Sequence, residues 1–126
     1  MTILETSRQF STKELYALTK DPLVEKLSDH TGQRLEVTGF CLFEDPDKKT
    51  GELKTMLCLE IEEGAPITTN SPTVQQSFKD IIEIYRATGN EDPYPFAVEV
   101  FTKKANASGR PYLNIRLVDE TNQFGR

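Results

Sequence analysis

An apolar set of residues alternates with a mixed set in two runs near the C-terminal end of the chain. Phe96, Val98 and Val100 interleave with Ala97, Glu99, Phe101 and Lys103; Leu113, Ile115 and Leu117 interleave with Tyr112, Asn114 and Arg116. Successive side chains on a strand point to opposite faces, so each run predicts a strand with one apolar face. Together they predict a β-hairpin over 96–118 with its turn at 104–111. Strands are also predicted over 33–43 and 53–62, with a short one over 65–70. On the first, Leu35, Val37, Cys41 and Phe43 form one face, and Glu36, Thr38, Phe40 and Leu42 the other. Gly39 in its middle predicts a bulge or sharp bend. On the second, Leu57, Leu59 and Ile61 are expected inward and Lys54, Met56, Cys58 and Glu60 outward.

Helical spacing replaces alternation in three places. Ser11 and Glu14 have capping-box spacing, and Phe10 with Leu15 has that of a hydrophobic staple, so a helix starts there. Asp21-Pro22 predicts a second short helix carrying Leu23, Val24 and Leu27. Residues 1–32 thus read as an N-terminal helical extension. Ser71-Pro72 opens the strongest helix, whose Val74, Phe78, Ile81, Ile82 and Tyr85 make one apolar stripe. Gly89, Asn90 and Pro93 end it. Residues 44–51 read as a turn-rich loop, and 119–126 as a flexible polar tail.

The order is helices, three strands, a helix, then two strands. It lacks the alternation that parallel βαβ units require. Five strands with one helix between the third and fourth is the order of an OB-fold, a small mainly-β Greek-key barrel. A generic α+β sandwich is the alternative. The length of 126 residues fits a single domain spanning 1–126. With 37% hydrophobic and 28% charged residues the chain reads as soluble and globular. No apolar window approaches a membrane span, and Met1 to Phe10 resembles no secretory signal. Cys41 and Cys58 read as reduced packing residues, which points to the cytoplasm.

The second face of the hairpin carries the candidate chemistry. Phe101, Lys103, Tyr112, Asn114 and Arg116 share it, and the turn adds Lys104 and Arg110. Aromatics among cations suit stacked bases beside phosphates. The competing reading is a Phe101–Tyr112 cross-strand pair that only stabilises the hairpin. Phe40 and Lys54, on the outward faces of the first two strands, are candidates to extend the binding platform; the competing readings are a Phe40 packed against the N-terminal helices and a merely solvated Lys54. The net charge of −5 argues against a generally basic nucleic-acid binder, so only a local cluster matters. Lys48 and Lys49 are offset by Glu44, Asp45 and Asp47. His30 stands alone, no nucleophile has a legible partner, and no metal-ligand or phosphate-loop spacing is present. The chain therefore reads as non-enzymatic, with no metal and no cofactor.

Several phrases look alike to a known family. They are 54–64 (KTMLCLEIEEG), 68–72 (TTNSP) leading into 78–82 (FKDII), 95–100 (PFAVEV) and 108–113 (SGRPYL). Together they resemble the single-stranded DNA-binding proteins of tailed bacteriophages. The resemblance covers roughly 35–117. It implies an OB-fold that coats single-stranded DNA without sequence specificity during replication, in the host cytoplasm. It also places Phe101, Tyr112, Lys103 and Arg116 on the DNA-contacting strands and implies replication proteins as further partners. Bacterial members of the wider class carry an acidic C-terminal tip that recruits partners; residues 122–126 (NQFGR) do not match it. An alternative from another class is an OB-fold adaptor in a replication or virion assembly, its negative charge favouring basic protein partners.

Overall fold

The computed structural model describes residues 1–104 and 109–120. The elements run β1 (Thr2–Thr6), α1 (Thr12–Thr19), β2 (Glu25–Lys26), a 3-10 turn (Leu27–His30), β3 (Arg34–Pro46), β4 (Leu53–Ile61), β5 (Ile67–Thr69), α2 (Pro72–Ala87), β6 (Phe96–Lys104) and β7 (Pro111–Glu120). One mainly-β sheet results, in the order β2-β5-β4-β3-β6-β7, with β1 added against β3. It curls into an open half-barrel.

The long strand β3 organises this sheet. Arg34 to Val37 pair with β6, while Val37 to Pro46 pair with β4. Further along, Cys41 to Glu44 pair with β1. The helix α2 ties the two sides of the opening together. The Gln75 amide donates to the Thr55 carbonyl of β4 at 2.8 Å and the Thr69 carbonyl of β5 at 3.4 Å. Two residues on, the Ser77 hydroxyl donates to Asn114 Oδ1 of β7 at 2.6 Å.

Gly39 produces the main departure from the expected faces. The β3–β4 register shifts between Val37 and Gly39. An extra residue in a strand moves everything after it to the opposite face. Leu35 and Val37 therefore share the α2-side core with Phe40 and Leu42, not with Cys41 and Phe43. Phe40, expected outward, is 5% exposed and packs edge-to-face on Phe78 with ring centres 5.0 Å apart. Cys41 and Phe43 turn to the other side, where Phe10, Leu18 and Cys58 complete a second core with Leu15 and Met56. The sheet is thus covered on both faces, by α2 and by α1.

The N-terminal segment is less helical than expected. The capping box at Ser11 and Glu14 is formed, with hydrogen bonds of 2.9 and 3.1 Å. However, β1 precedes it as a strand, which its exposed residues did not signal. In place of the second helix, the Asp21 carboxylate accepts the Leu23 N–H at 2.8 Å and holds Pro22 in a turn. The chain then extends, the Glu25 N–H reaches the Pro66 carbonyl at 2.8 Å, and β2 runs parallel to β5. Among the described residues no helix is long and apolar enough to cross a membrane.

Candidate nucleic-acid interface

The β6–β7 ladder fixes which hairpin residues share a face. Val98, Val100 and Thr102 stand opposite Leu117, Ile115 and Leu113; Glu99, Phe101 and Lys103 stand opposite Arg116, Asn114 and Tyr112. The first set is anchored by Val98 and Val100, both fully buried, and by Ile115. Backbone bonds from Gly32 N–H to the Val100 carbonyl (2.7 Å) and from Val100 N–H to the Gln33 carbonyl (3.0 Å) hold β6 to the start of β3. On β7, Asn114 Oδ1 accepts from Ser77 and from the Ile115 N–H, which locks the middle of that strand to α2.

Charge divides this face into two halves. At the base, Arg116 pairs with Glu99 at 2.9 Å, and Arg34 pairs with Glu36 at 3.0 Å and Asp119 at 3.1 Å. Toward the tip lie Phe101, Lys103 and Tyr112, with Arg110 at the turn and Lys104, opposite Pro111, on the other face of the strand. Lys103 and Lys104 are exposed and make no ion pair among the described residues. Phe101 and Tyr112 are half-buried and contact no other ring among the described residues. They are diagonal neighbours, Tyr112 being opposite Lys103, so the direct cross-strand aromatic pair is not formed. Of the turn, residues 105–108 lie outside the described residues, as do 121–126 of the expected tail.

Two expected contributors are not brought to this surface. Phe40 is in the core. Lys54 pairs with Asp47 at 2.5 Å, and Asp47 also accepts the Lys49 and Thr50 N–H groups. These bonds, the Lys54 contact first, hold the Asp47 carboxyl down at about 2. Lys54 stands opposite Asp45 on β3, whereas the hairpin joins β3 at Arg34 to Val37. From Val37 to Asp45 the strand runs roughly 26 Å. The outward faces of Met56 and Cys58 are closed off by α1.

His30, Arg8 and Glu60 are tied into the fold. His30 bonds Glu25 at 2.7 Å and Gln33 at 2.8 Å, which pins the 3-10 turn. Glu60 accepts two bonds from Arg8, at 2.7 and 2.8 Å, and Arg8 lies 4.2 Å over the Phe10 ring. Among the described residues, no group of three His, Cys, Asp or Glu side chains is placed to hold a metal ion. The Ser77–Asn114 anchor and the Glu99–Arg116 pairing were invisible in the sequence as contacts. The signal for the second was the shared strand face of Glu99 and Phe101. Compared with known protein families, with curated proteins and with solved structures, the chain finds no match.

Proposed function

We propose that the chain is a non-catalytic OB-fold protein that binds single-stranded DNA without sequence preference, through the distal half of the β6–β7 hairpin. The observation that carries this reading is the pairing state of the face. Among the described residues, Phe101 and Tyr112 are accessible and without ring partners on the same face as the unpaired Lys103, with the unpaired Lys104 at the strand end on the other face, while the nearby Glu99 is neutralised by Arg116. Bases stacking on the two rings would each contribute about 1–3 kcal/mol, whatever their identity. The lysines would neutralise phosphates.

The strand pairings support the finer fold assignment. β3, β4, β5, β6 and β7 pair as the first to fifth strands of an OB-fold would, with α2 after the third. The barrel-closing pair would lie between β5 and β7, where α2 instead spans the gap. The likeness of 54–64 and 108–113 to the phage single-stranded DNA-binding family agrees with coating of DNA during replication.

The test is fluorescence anisotropy of a labelled oligo-dT, at low and then rising salt, with duplex DNA as competitor. Expected are binding that weakens steadily with salt, poor competition by duplex, and a marked loss on replacing both Phe101 and Tyr112 with alanine. Absence of binding at low salt would sink the reading. Full affinity in the double alanine variant would remove the hairpin from it.

A further inference from the structure

The end of β7 remote from the hairpin tip forms one wall of a groove of about 690 Å³, and the C-terminal half of α2 forms the other. Ile81, Ile84, Tyr85 and Leu117 give it an apolar lining. Ile84 is 64% exposed and Leu117 41%, so the apolar surface is open rather than core. Its charged lining consists of Asp80 and Glu120, with no lysine or arginine. Asp80 accepts only the Gln76 amide, at 2.9 Å, and neither carboxylate has an ion pair among the described residues.

One further feature carries the same sign. α2 ends at this groove, and the last carbonyls of a helix carry partial negative charge. The Tyr85 hydroxyl is buried in the wall without a hydrogen bond of good geometry. Burial first, then the nearby Glu120 carboxylate, push its pKa up.

We propose that this groove docks a basic amphipathic segment of a partner protein. Its apolar residues would rest on Ile84 and Leu117, and its lysines or arginines would meet Asp80 and Glu120. The charge pattern selects this occupant. A nucleic acid would set phosphates against the two carboxylates. A second copy placed about a two-fold axis would set the same carboxylates against each other, in a chain of net charge −5. Helix-in-groove docking with a complementary rim is a recurring mode of peptide recognition. The inference does not rest on the DNA reading. Tyr112 and Glu120 are eight positions apart on β7, roughly 26 Å, so both surfaces are accessible together.

The test is an NMR titration of the 15N-labelled full chain with two short synthetic peptides. One has leucine and lysine at helical spacing, and the other has glutamate in place of each lysine. The lysine peptide is expected to shift the amides of Ile84, Thr88, Leu117 and Glu120, and the glutamate peptide to leave them in place. Ile84→Ser and Glu120→Lys should each weaken the lysine peptide roughly tenfold, the scale of one lost anchor. Asp80→Asn on α2 gives a second charge variant should Glu120→Lys disturb the end of β7. Equal binding of both peptides, no binding of the lysine peptide, or unchanged affinity in the variants would each overturn the proposal. So would movement of these same amides by oligo-dT, or by self-association as the protein concentration rises. Oligo-dT shifts confined to the hairpin would leave it standing, and their absence would fault only the DNA reading.

Discussion

Cys41 on β3 and Cys58 on β4 stand directly opposite each other across the ladder, both fully buried and unbonded, on the face that α1 covers. Their position measures how closely the N-terminal segment seals this side of the sheet. Phe10 and Leu18 pack into the same cluster, and the Arg8–Glu60 bonds fasten the lead-in to α1 beside it. The face that would form the centre of a binding platform in a simpler barrel is thereby occupied by the chain itself.

The thiols should accordingly be inert in the folded protein. Burial pushes Cys41 up to about 11 and Cys58 to about 12, the second further raised by the negative charges of Cys41 and Glu60. Only the thiolate is reactive, so a thiol-specific reagent at pH 8 should label neither cysteine until denaturant is added, and then both. Folded values above the ordinary 9.0 mean that the folded state holds its protons more tightly than the unfolded one. The urea midpoint should therefore show no thiol-linked change below about pH 9 and fall as pH rises toward 11 to 12. Rapid labelling of native protein would show that α1 opens readily.

Gly39→Ala should loosen the same seal. A Cβ at this position would lie 2.7 Å from Ser7 Oγ, 2.8 Å from an Arg8 guanidinium nitrogen and 2.9 Å from Glu60 Oε1. The ion pair can yield, but Ser7 is held at both ends: its Oγ accepts the Phe40 N–H at 2.9 Å and its own N–H donates to the Phe40 carbonyl at 3.0 Å. The expected cost is about 1–3 kcal/mol, the range for overpacking. It should be read as a lowered urea midpoint, with faster labelling of Cys41 and Cys58. A variant of unchanged stability would mean that the bulge shifts without strain.

Gly39 also marks where the sequence ceased to be legible. Alternation located the hairpin faces, and the Ser71-Pro72 and Ser11-Glu14 signals located both helices, because these are local patterns. The glycine signalled a bulge, yet a face list that skips over the bulge assigns Cys41, Phe43 and Phe40 to the wrong sides. That error put Phe40 on the expected binding platform. Lys54 failed for another reason: which carboxylate a lysine meets depends on the fold, and the 46–53 loop brings Asp47 to it. The strand β1 could not be read at all, since it is an exposed addition held by backbone pairing to β3 rather than by an apolar face.

Acid should weaken the fold through Glu60. The Arg8 hydrogen bonds, opposed by burial and aided by the Thr38 hydroxyl, hold its carboxyl below the ordinary 4.5. A lowered folded value contributes stability above the ordinary value and loses it as pH falls through the folded one. The thermal midpoint should therefore decline below about pH 4.5. Glu60→Gln should flatten that part of the curve. At neutral pH the substitution should cost about 1 kcal/mol or less, since the pair is partly exposed and screened. An identical acid limb in parent and variant would assign the loss to other carboxylates, Asp47 first among them.

Arg116 offers a test of the DNA reading in the direction of gain. Its guanidinium lies on the face of Phe101 and Tyr112 but is bound to Glu99 at 2.9 Å, so its charge is already answered. If a strand runs along this face, Glu99→Gln should release Arg116 for a phosphate. Oligo-dT binding should then tighten, and the dependence of log affinity on log salt should steepen by about 0.7, the contribution of one phosphate on a single strand. Lys103→Gln should make that slope shallower by about the same amount. Arg116→Gln alone should change little, because the parent arginine is engaged, yet it should abolish the gain when combined with Glu99→Gln. A Glu99→Gln variant with the parent's affinity and slope would confine the interface to the tip, beyond the reach of Arg116.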